Sequence, residues 1–436
     1  MDIDKVTLQD LSFLQGQQSV FSLIDRCVTQ EGSAVLRQHV LHPPKSFQQL
    51  HAYQEAVRFW LSHMNEWPEQ ISNGTLVMVQ KFYESADVAF EKPNSISLFL
   101  ADWMEKIFHK KTFSTAMFSM GHLSDFLKGC ETLTGLMNDN PPALVREILE
   151  TLQTSCQQPV ARQIIDSNEK THHKEWLQIA YQARKYLRHT IHQMIQLFAR
   201  LDAVRAMAAA GSEHHWVLPE LLPAEAQQFQ VTQLVHPLLK NPVSYDLDMN
   251  DQQRFLFLTG ANMSGKSTLL YTLGISALLA HLGMAVPAKA LRISFLDGLI
   301  TNMHIEDNVV LGESYFFAEV QRMKLTAQRL QNNRHHLVLM DELFKGTNGY
   351  DAYECSYAVI EGLLNKNRNL MVLSTHLSEL SEQLAAFPEI IFRYCQTNKD
   401  EQGRYHFTYQ LKEGVSNDRI GFLVLKNEGV LDILNG

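Results

Sequence analysis

Eight consecutive residues of this chain, Gly260 to Ser267, fit the phosphate-binding pattern G-x-x-x-x-G-K-[ST]. Glycines at the two fixed positions let the backbone turn so that successive N–H groups point at phosphate oxygens, and the start of the next helix adds a partial positive charge. We expect Lys266 to contact the β- and γ-phosphates of a nucleotide and the Ser267 hydroxyl to bind Mg²⁺. The pattern therefore predicts a P-loop.

A second group of polar residues follows two apolar stretches further along the chain. The stretch His336–Met340 is predicted to form a strand, and it ends in Asp341 and Glu342. An aspartate at the carboxyl end of a strand can hold Mg²⁺ through water, while a glutamate beside it can polarise an attacking water. The next apolar stretch leads into His376, which then lies where a sensor of the γ-phosphate is useful. An acidic pair also occurs as ordinary charge at a helix start, so this prediction depends on the P-loop upstream.

Three apolar runs are expected to be central strands that place these residues at one edge of a sheet: Arg254–Thr259, His335–Met340 and Leu370–Thr375. Helical patterns alternate with the runs, as in residues 268–279 directly after the P-loop. This alternation is typical of a largely parallel sheet in an α/β domain. A segment rich in proline and leucine, Leu218–Pro223, marks where this domain begins.

The first half of the chain, residues 1 to about 230, has mostly helical patterns and is predicted to be all-α. Its longest predicted helix covers about Lys174 to Ala210, with one apolar stripe formed by Leu187, Ile191, Met194, Phe198 and Leu201. Basic residues occupy the other faces of this helix: Arg184, Lys185, Arg188, Arg200 and Arg205. Such a face is ordinarily a solvated surface, and the alternative is that it follows a phosphate backbone.

Composition limits the classes of function. The 436 residues are 45% hydrophobic, which is enough to fill the cores of two or three domains. The net charge of -9 gives no global positive field towards nucleic acid or anionic membrane, so any contact with DNA must be local. The five cysteines show no paired spacing, the N-terminus is acidic, and no run of about 20 apolar residues occurs. We therefore expect a cytoplasmic protein without membrane contact.

The polar motifs resemble those of the bacterial MutS mismatch-repair ATPases. Residues Thr259–Thr268 resemble their T-G-P-N-M-G-G-K-S-T, and Met340–Asn348 resemble their D-E-L-G-R-G-T-S. Further segments that resemble family motifs are His236–Leu239, Val286–Ala288, Gly312–Glu319, Ser374–His376 and Phe407–Gly414. In the helical half, Thr7–Ser12 and Gly32–Arg37 resemble the start of the family's core domain. The likeness thus covers nearly the whole chain.

The resemblance implies a fold, cofactors and an assembly. It implies an α/β ABC-type P-loop ATPase domain at 231–436, preceded by an all-α core or lever domain at 1–230. It also implies ATPase activity with ATP and Mg²⁺ as cofactors. In that family two ATPase domains form a dimer in which each nucleotide faces a signature serine of the other subunit. A homodimer through the ATPase domains is therefore expected.

The resemblance also assigns roles to single residues. Ser314 matches the signature serine, and Tyr409 matches a position whose ring stacks on adenine, although tyrosines also commonly pack on β surfaces. The residues expected to act in catalysis are Glu342, Lys266, His376 and Ser314, and those expected to bind Mg²⁺ are Ser267 and Asp341. The residues expected to bind the nucleotide are Gly260, Ala261, Asn262, Met263, Ser264, Gly265, Lys266, Ser267, Thr268 and Tyr409.

Four positions near these motifs depart from the family pattern. Phe344 and Lys345 stand where the family has glycine and arginine, so the bidentate contact of an arginine is lost. Asn302 replaces an arginine, and Val243 falls near an aromatic residue that stacks on the base in some members. The change at Val243 bears on the affinity for the nucleotide, whereas the changes at Phe344 and Lys345 fall in a loop that faces the dimer partner in the family.

A larger departure concerns the parts of the family that contact DNA. Because the sequence begins at the core domain, the mismatch-reading domain and connector are expected to be absent, and little chain follows Gly421 for a helix-turn-helix tail or a nuclease domain. Phe82–Glu84 repeats the letters of the F-x-E wedge that enters mismatched DNA. It lies within the core region and lacks the preceding glycine, so we expect that it is not a wedge.

Two functions fit these observations. The first is an ATP-gated dimer of the MutS type that acts on DNA without reading mismatches itself, with a repair protein as a further partner. The second is a nucleotide-gated interaction or scaffold ATPase that binds a protein partner and not DNA. The ATPase motifs favour the first, whereas the net charge and the expected absence of DNA-contacting domains favour the second. A transporter-type ATPase is disfavoured because the signature L-S-G-G-Q is missing from the sequence.

Overall fold

The computed structural model describes most of the chain, namely residues 1–16, 19–84, 110–167, 173–303, 315–332, 334–399, 405–416 and 429–435. Contacts within the chain group its residues into two compact units. The first, called the α/β unit, consists of Met1–Ile24, His39–His51 and Gly211–Gly436. The second, called the helical unit, consists of Asp25–Gln38 and Ala52–Ala210.

Helices dominate the first half of the chain. They are α1 (Lys5–Asp10), α2 (Val20–Ile24), α3 (Gln30–Leu41), α4 (Phe47–Ser62), α5 (Asn73–Glu84), α6 (Lys110–Thr134), α7 (Ala143–Cys156), α8 (Pro159–Asp166), α9 (His173–Gln182) and α10 (Arg188–Glu213). Local signals explain where some of them start. The Asp4 carboxylate accepts the N–H of Thr7 at 2.7 Å and caps α1, and Pro159 occupies the first position of α8.

The predicted long helix is present, with one irregularity. Helices α9 and α10 are joined by a π-helical turn, Ala183–Leu187, which inserts an extra residue into the helix. All five residues of the predicted apolar stripe are buried, namely Leu187, Ile191, Met194, Phe198 and Leu201. The predicted core face of this helix is therefore confirmed. None of the helices that the structure describes has the length and apolar character needed to cross a membrane.

The core of the helical unit is rich in aromatic rings. Trp67 lies between Trp60 and Phe198, with ring centroids 5.4 and 5.0 Å away. Arg205 packs its guanidinium 4.9 Å over the Trp67 ring and donates a hydrogen bond to the carbonyl oxygen of Arg26. The interpretation of Arg205 as part of an exposed basic face is therefore wrong, because burial against the indole removes it from that face. The other basic residues of the helix are exposed or half-buried: Arg184, Lys185, Arg188 and Arg200.

In the part of the chain that the structure describes, the α/β unit contains two sheets. Its strands are β1 (Glu220–Leu222), β2 (Phe229–Leu234), β3 (Tyr245–Met249), β4 (Phe255–Thr259), β5 (Ala290–Ser294), β6 (Gly298–Asn302), β7 (His336–Asp341), β8 (Leu370–Ser374), β9 (Ile390–Lys399) and β10 (Tyr405–Glu413). The larger sheet has the order β10-β9-β4-β8-β7-β6 and is parallel from β9 to β6, whereas β10 is antiparallel to β9. The smaller sheet has the order β1-β5-β2-β3.

Helices follow the strands of this part of the chain: α11 (Lys266–His281), α12 (Tyr315–Arg329), α13 (Gly349–Leu364), α14 (Leu380–Leu384) and α15 (Val430–Asn435). The three runs predicted as central strands form β4, β7 and β8, which are neighbours in the larger sheet. Every residue of β4 and β8 is buried, as expected for a parallel sheet inside an α/β fold. The predicted α/β domain with a helical region before it is thus confirmed.

The compact units do not follow the predicted boundary at residue 230. The N-terminal segment is grouped with the α/β unit because Asp2 forms a parallel bridge with Gly298 and the Asp10 carboxylate accepts a hydrogen bond from Arg322. The all-α character predicted for residues 1–230 also ends early, since β1 and the start of β2 lie within that range. The division into two domains at residue 230 stays a prediction, and the compact units differ from it by grouping the N-terminal segment with the α/β unit.

Candidate nucleotide site

The loop from Gly260 to Gly265 connects the end of β4 to the start of α11. The backbone angle φ is 139° at Gly260 and 100° at Gly265, a region that L side chains rarely adopt. A Cβ atom at Gly260 would also lie 3.1 Å from the carbonyl oxygen of Cys395. Met263 is left-handed as well, with φ at 67° and a side chain that is 70% exposed. The loop therefore makes a tight turn that only glycine permits at its two ends.

Lys266 begins α11, and its side chain folds back into the loop. The ammonium donates hydrogen bonds to the carbonyl oxygens of Gly260 at 2.8 Å and Ala261 at 3.1 Å, and it lies 3.5 Å from Nε2 of His376. Burial lowers the pKa of Lys266, and the charges of Glu342 and other neighbours partly oppose this effect. Because β4 and β8 are adjacent parallel strands, Lys266 and His376 meet at the same edge of the sheet.

Ser267 and Asp341 are the two residues predicted to bind Mg²⁺, and they are in direct contact. The Ser267 hydroxyl donates a hydrogen bond of 2.7 Å to Oδ2 of Asp341. A hydroxyl and a carboxylate fit Mg²⁺, which prefers oxygen ligands and binds through a few protein oxygens together with phosphate and water. Among the residues that the structure describes, no group of three or more His, Cys, Asp and Glu is arranged to hold a metal by itself.

Glu342 follows Asp341 and contacts two basic side chains. Its Oε1 lies 2.9 Å from Nε2 of His376, and its Oε2 lies 3.5 Å from Nζ of Lys345. Burial is the largest single influence on the carboxyl group and opposes ionisation. The hydrogen bond with His376, together with the charges of His376, Lys345 and Lys266, outweighs burial, so the pKa of Glu342 is lowered. The side chain is therefore a carboxylate at neutral pH.

The backbone of Glu342 is in a conformation that a side chain disfavours. Its φ is 59°, and its N–H donates a hydrogen bond of 2.8 Å to the carbonyl oxygen of Ser374 at the end of β8. A residue other than glycine in this region costs on the order of 1–3 kcal/mol and persists where the surrounding structure enforces it. Strain of this kind clusters at functional sites. The strained backbone therefore favours Glu342 over the other carboxylates of the α/β unit as a functional residue.

A cavity of about 590 Å³ opens beside the loop. Its lining includes Lys266, Ser267 and Glu342, together with Tyr409 and His236. Tyr409 is 41% exposed and lies at a bulge of β10 with φ at 57°. Its ring is so close to the loop that a Cβ atom at Gly265 would lie 3.2 Å from Cδ1. The cavity is thus lined both by residues predicted to bind phosphate and by an aromatic ring.

The segment between β2 and β3 supplies part of this lining that sequence reasoning did not assign. Lys240, Asn241 and Val243 line the cavity together with Tyr245, the first residue of β3. Of these, the sequence singles out only Val243, as a departure from the family pattern. The likeness of His236–Leu239 to a family motif pointed at this segment. No signal in its own residues indicated which side chains face the loop.

The structure brings most of the predicted site residues together. Asn262 and Met263 of the loop and Thr268 of α11 line the cavity, while Ala261 and Ser264 are buried. Asp341, Glu342 and His376 lie at the ends of β7 and β8 beside the loop. Ser314 lies outside the described residues, so its predicted place opposite a second subunit's nucleotide has no structural account.

Residues that depart from the family pattern have defined surroundings. Phe344 is 5% exposed, with φ at 58°, and its ring packs on Phe316. Asn302 is buried and accepts a hydrogen bond of 3.0 Å from Nε of Arg322. Phe82 is 1% exposed within α5, which agrees with the expectation that it is not a DNA wedge.

Comparison with known proteins agrees with this geometry. Residues 256–433, which include the loop, Asp341, Glu342 and His376, match the family described as MutS domain V. This part of the chain is thus similar to a domain of the MutS family. The resemblance inferred from the motifs is thereby confirmed. The match begins inside β4 and extends into α15, so it includes the loop and the ends of β7 and β8 but not the helical unit or the cavity-lining residues before β4.

Named relatives support the same assignment. The chain is 28% identical over 265 residues to the DNA mismatch repair protein MutS of Halalkalibacterium halodurans, a match that covers 59% of this chain and 30% of that protein. It is 31% identical over 244 residues to the DNA mismatch repair protein msh3 of Aspergillus fumigatus, covering 53% of this chain and 21% of that protein. The chain thus spans less than a third of the length of these relatives.

Proposed function

We propose that this chain binds and hydrolyses ATP with an ABC-type P-loop ATPase domain and that it acts on DNA as an ATP-gated homodimer. The observation that carries the proposal is the meeting of two pairs beside Lys266: Ser267 with Asp341, and Glu342 with His376. A phosphate-binding loop, a pair of oxygen donors for Mg²⁺ and an ionised carboxylate are the parts that nucleotide hydrolysis requires.

Each residue has a distinct role in this proposal. Lys266 binds the β- and γ-phosphates, and Ser267 and Asp341 hold Mg²⁺, which when bound neutralises phosphate charge. Glu342 polarises the attacking water by accepting its proton, since its lowered pKa keeps it ionised. His376 holds the Glu342 carboxylate at 2.9 Å and so couples it to the end of β8.

The ring of Tyr409 is proposed to stack on adenine. A half-exposed tyrosine that lines the cavity beside Gly265 supports a ligand contact more than ordinary packing on the sheet. An aromatic ring offers a flat apolar surface to a purine. This placement also explains how the chain can bind a base although Val243 is not aromatic.

Action on DNA is proposed from the relatives, both of which are named DNA mismatch repair proteins. The exposed side chains of Lys185, Arg188 and Arg200 are available for phosphate contacts. Because the buried Phe82 offers no wedge, we expect the affinity to depend on the shape of the DNA and not on a mismatch. The net charge of -9 favours the second candidate, a scaffold ATPase that binds a protein partner such as a repair protein and not DNA.

One experiment separates the two candidates. ATP turnover and the binding of homoduplex, mismatched and branched DNA would be measured on the same preparation, with and without ATP, at two salt concentrations. A DNA-acting ATPase should bind at least one of these DNAs with an affinity that falls steeply with salt. A tenfold preference for mismatched over homoduplex DNA would refute the expectation that the chain does not read mismatches. ATP turnover without binding to any DNA at low salt would favour the second candidate, the scaffold ATPase that binds a protein partner.

A further inference from the structure

The loop that follows Glu342 packs directly on the first turn of α12. A Cβ atom at Gly346 would lie 2.7 Å from the backbone nitrogen of Phe316, closer than real Cβ atoms approach. Phe344, which is buried, places its ring against that of Phe316 with centroids 5.9 Å apart. The loop therefore contacts α12 through both backbone and side chains, and it has no room there for a larger residue than glycine.

One buried carboxylate holds this loop by two hydrogen bonds. Glu319 of α12 is 5% exposed. Its Oε1 accepts the N–H of Lys345 at 2.9 Å, and its Oε2 accepts the N–H of Gly346 at 3.0 Å. Two consecutive N–H groups directed at one anion fix the orientation of both peptide planes. Hydrogen bonds to a charged acceptor are also stronger than those between neutral groups.

Helix α12 is itself anchored to the sheet, so the backbone that carries the Glu319 side chain is held in place. Arg322, one turn further along the helix, donates hydrogen bonds to Oδ2 of Asp10 at 2.7 Å and to the carbonyl oxygen of Thr301 at 2.8 Å. Its Nε also donates to Asn302 at the end of β6. The anchor, the helix and the loop together connect β6 to the residue that follows β7.

We propose that Glu319 is a positioning residue for hydrolysis, which acts through the loop on Glu342. Glu319 holds the backbone of Lys345, whose ammonium lies 3.5 Å from Oε2 of Glu342, while His376 holds the other oxygen of Glu342. Glu319 does not line the nucleotide cavity, so it contributes to the geometry of the carboxylate and not to nucleotide binding. This inference rests on the proposed ATPase function.

The test compares Glu319→Ala and Glu319→Gln with the wild type. A control is Glu361→Ala, which removes an exposed glutamate from α13. Displacement of a catalytic group by about 1 Å can cost roughly 100-fold in rate, so we expect kcat of Glu319→Ala to fall by about 10- to 100-fold. Glu319→Gln keeps one acceptor oxygen and should lose less. The Kd for ATP and the thermal midpoint of Glu319→Gln should stay near the wild-type values, and Glu361→Ala should match the wild type.

A double-mutant cycle distinguishes positioning from general damage. If Glu319 acts through Glu342, Glu319→Gln should have no further effect on turnover in a Glu342→Gln background. Unchanged turnover of Glu319→Ala would overturn the inference. It would also be overturned if Glu319→Gln weakened ATP binding as much as it slowed turnover, or if it slowed turnover in the Glu342→Gln background as much as in the wild type. A wild-type chain that does not hydrolyse ATP would instead overturn the proposed function and the inference with it.

Discussion

Each oxygen of the Glu342 carboxylate has its own neighbour. His376 lies at one oxygen and Lys345 at the other, with distances of 2.9 and 3.5 Å. The backbone at Glu342 is left-handed, with φ at 59°. If Glu342 is the general base that we propose, this orientation is more important for turnover than for binding, because a general base acts on the water and not on the nucleotide.

Substitutions at two residues should therefore separate turnover from binding. Glu342→Gln keeps the size of the side chain but removes the base, so ATP turnover should fall about 100-fold or more while ATP binding persists. Lys266→Ala should instead weaken ATP binding, since it removes a charge that contacts the phosphates in the ground state as well as in the transition state. Steady-state turnover and a nucleotide titration measure the two effects. Wild-type turnover in Glu342→Gln would show that another residue is the base.

The start of helix α3 depends on a carboxylate that is distant in sequence. Asp202, which is fully buried, accepts hydrogen bonds from the N–H groups of Val28 and Thr29 at 3.0 and 2.9 Å and from the Thr29 hydroxyl at 2.8 Å. The Thr29 hydroxyl in turn accepts the N–H of Gly32 at 3.0 Å and caps the helix. A Cβ atom at Gly32 would lie 2.8 Å from Cγ of Asp202.

A methyl group at Gly32 should consequently destabilise the helical unit. Gly32→Ala gains up to about 1 kcal/mol of helix propensity, but overpacking against Asp202 costs about 1–3 kcal/mol, so the free energy of unfolding should fall. Gly121→Ala in α6 is the matched control, because a Cβ atom there meets nothing within 4 Å. Urea unfolding of the two variants measures the difference. Equal stabilisation by both changes would contradict the close approach seen at Gly32.

His281 near the end of α11 makes the α/β unit sensitive to acid. The side chain is fully buried, its Nδ1 donates to the carbonyl oxygen of Ala277 at 2.7 Å, and its Nε2 accepts the N–H of Leu296 at 2.8 Å. This arrangement requires the neutral ring, and burial lowers the pKa of His281 to about 3. The unfolded chain, with a pKa of about 6.5 for histidine, binds a proton more readily.

The contribution of His281 to stability should thus be fully present above pH 6.5 and should be lost as the pH falls towards 3. The free energy of unfolding should decrease by about 1.4 kcal/mol for each pH unit within this window. His281→Gln should reduce that slope, whereas His192→Gln, which changes an exposed histidine, should leave it unchanged. Chemical unfolding at pH 7, 6 and 5 measures the slopes. Identical slopes in the wild type and His281→Gln would show that the buried ring does not stay neutral.

Assembly of two chains is proposed to complete each nucleotide site. If Ser314 acts on the partner's nucleotide, Ser314→Arg and Glu342→Gln proteins should each be nearly inactive alone. Mixed, they form some dimers in which one site combines an intact Glu342 with an intact Ser314, so part of the ATPase activity should return. ATPase assays of the separate and mixed proteins, with sedimentation in the presence of ATP, test this. A Ser314→Arg protein with wild-type turnover and wild-type dimerisation would refute the trans role.

Short-range patterns were sufficient to predict the central strands, the P-loop and the long helix. Residues 254–268 contain the buried strand, both glycines and the helix start, so their chemistry follows from consecutive residues alone. The apolar stripe of the long helix is similarly a local periodicity, and its five residues are buried as expected. The proximity of Ser267 and Asp341, the proposed Mg²⁺ ligands, could be inferred because parallel strands bring their carboxyl ends to one edge of the sheet.

Contacts between distant segments required the folded chain. Glu319 is separated by 26 residues from Lys345, and Asp202 by 173 residues from Thr29, yet each carboxylate holds the other segment by hydrogen bonds. No periodicity or motif indicates which of the many carboxylates meets a given N–H group, because that depends on how whole elements pack. The same reason placed Arg205 in the core and brought Lys240 and Asn241 to the cavity. Sequence patterns thus identified the chemical groups of the site, and packing determined which side chains hold them in position.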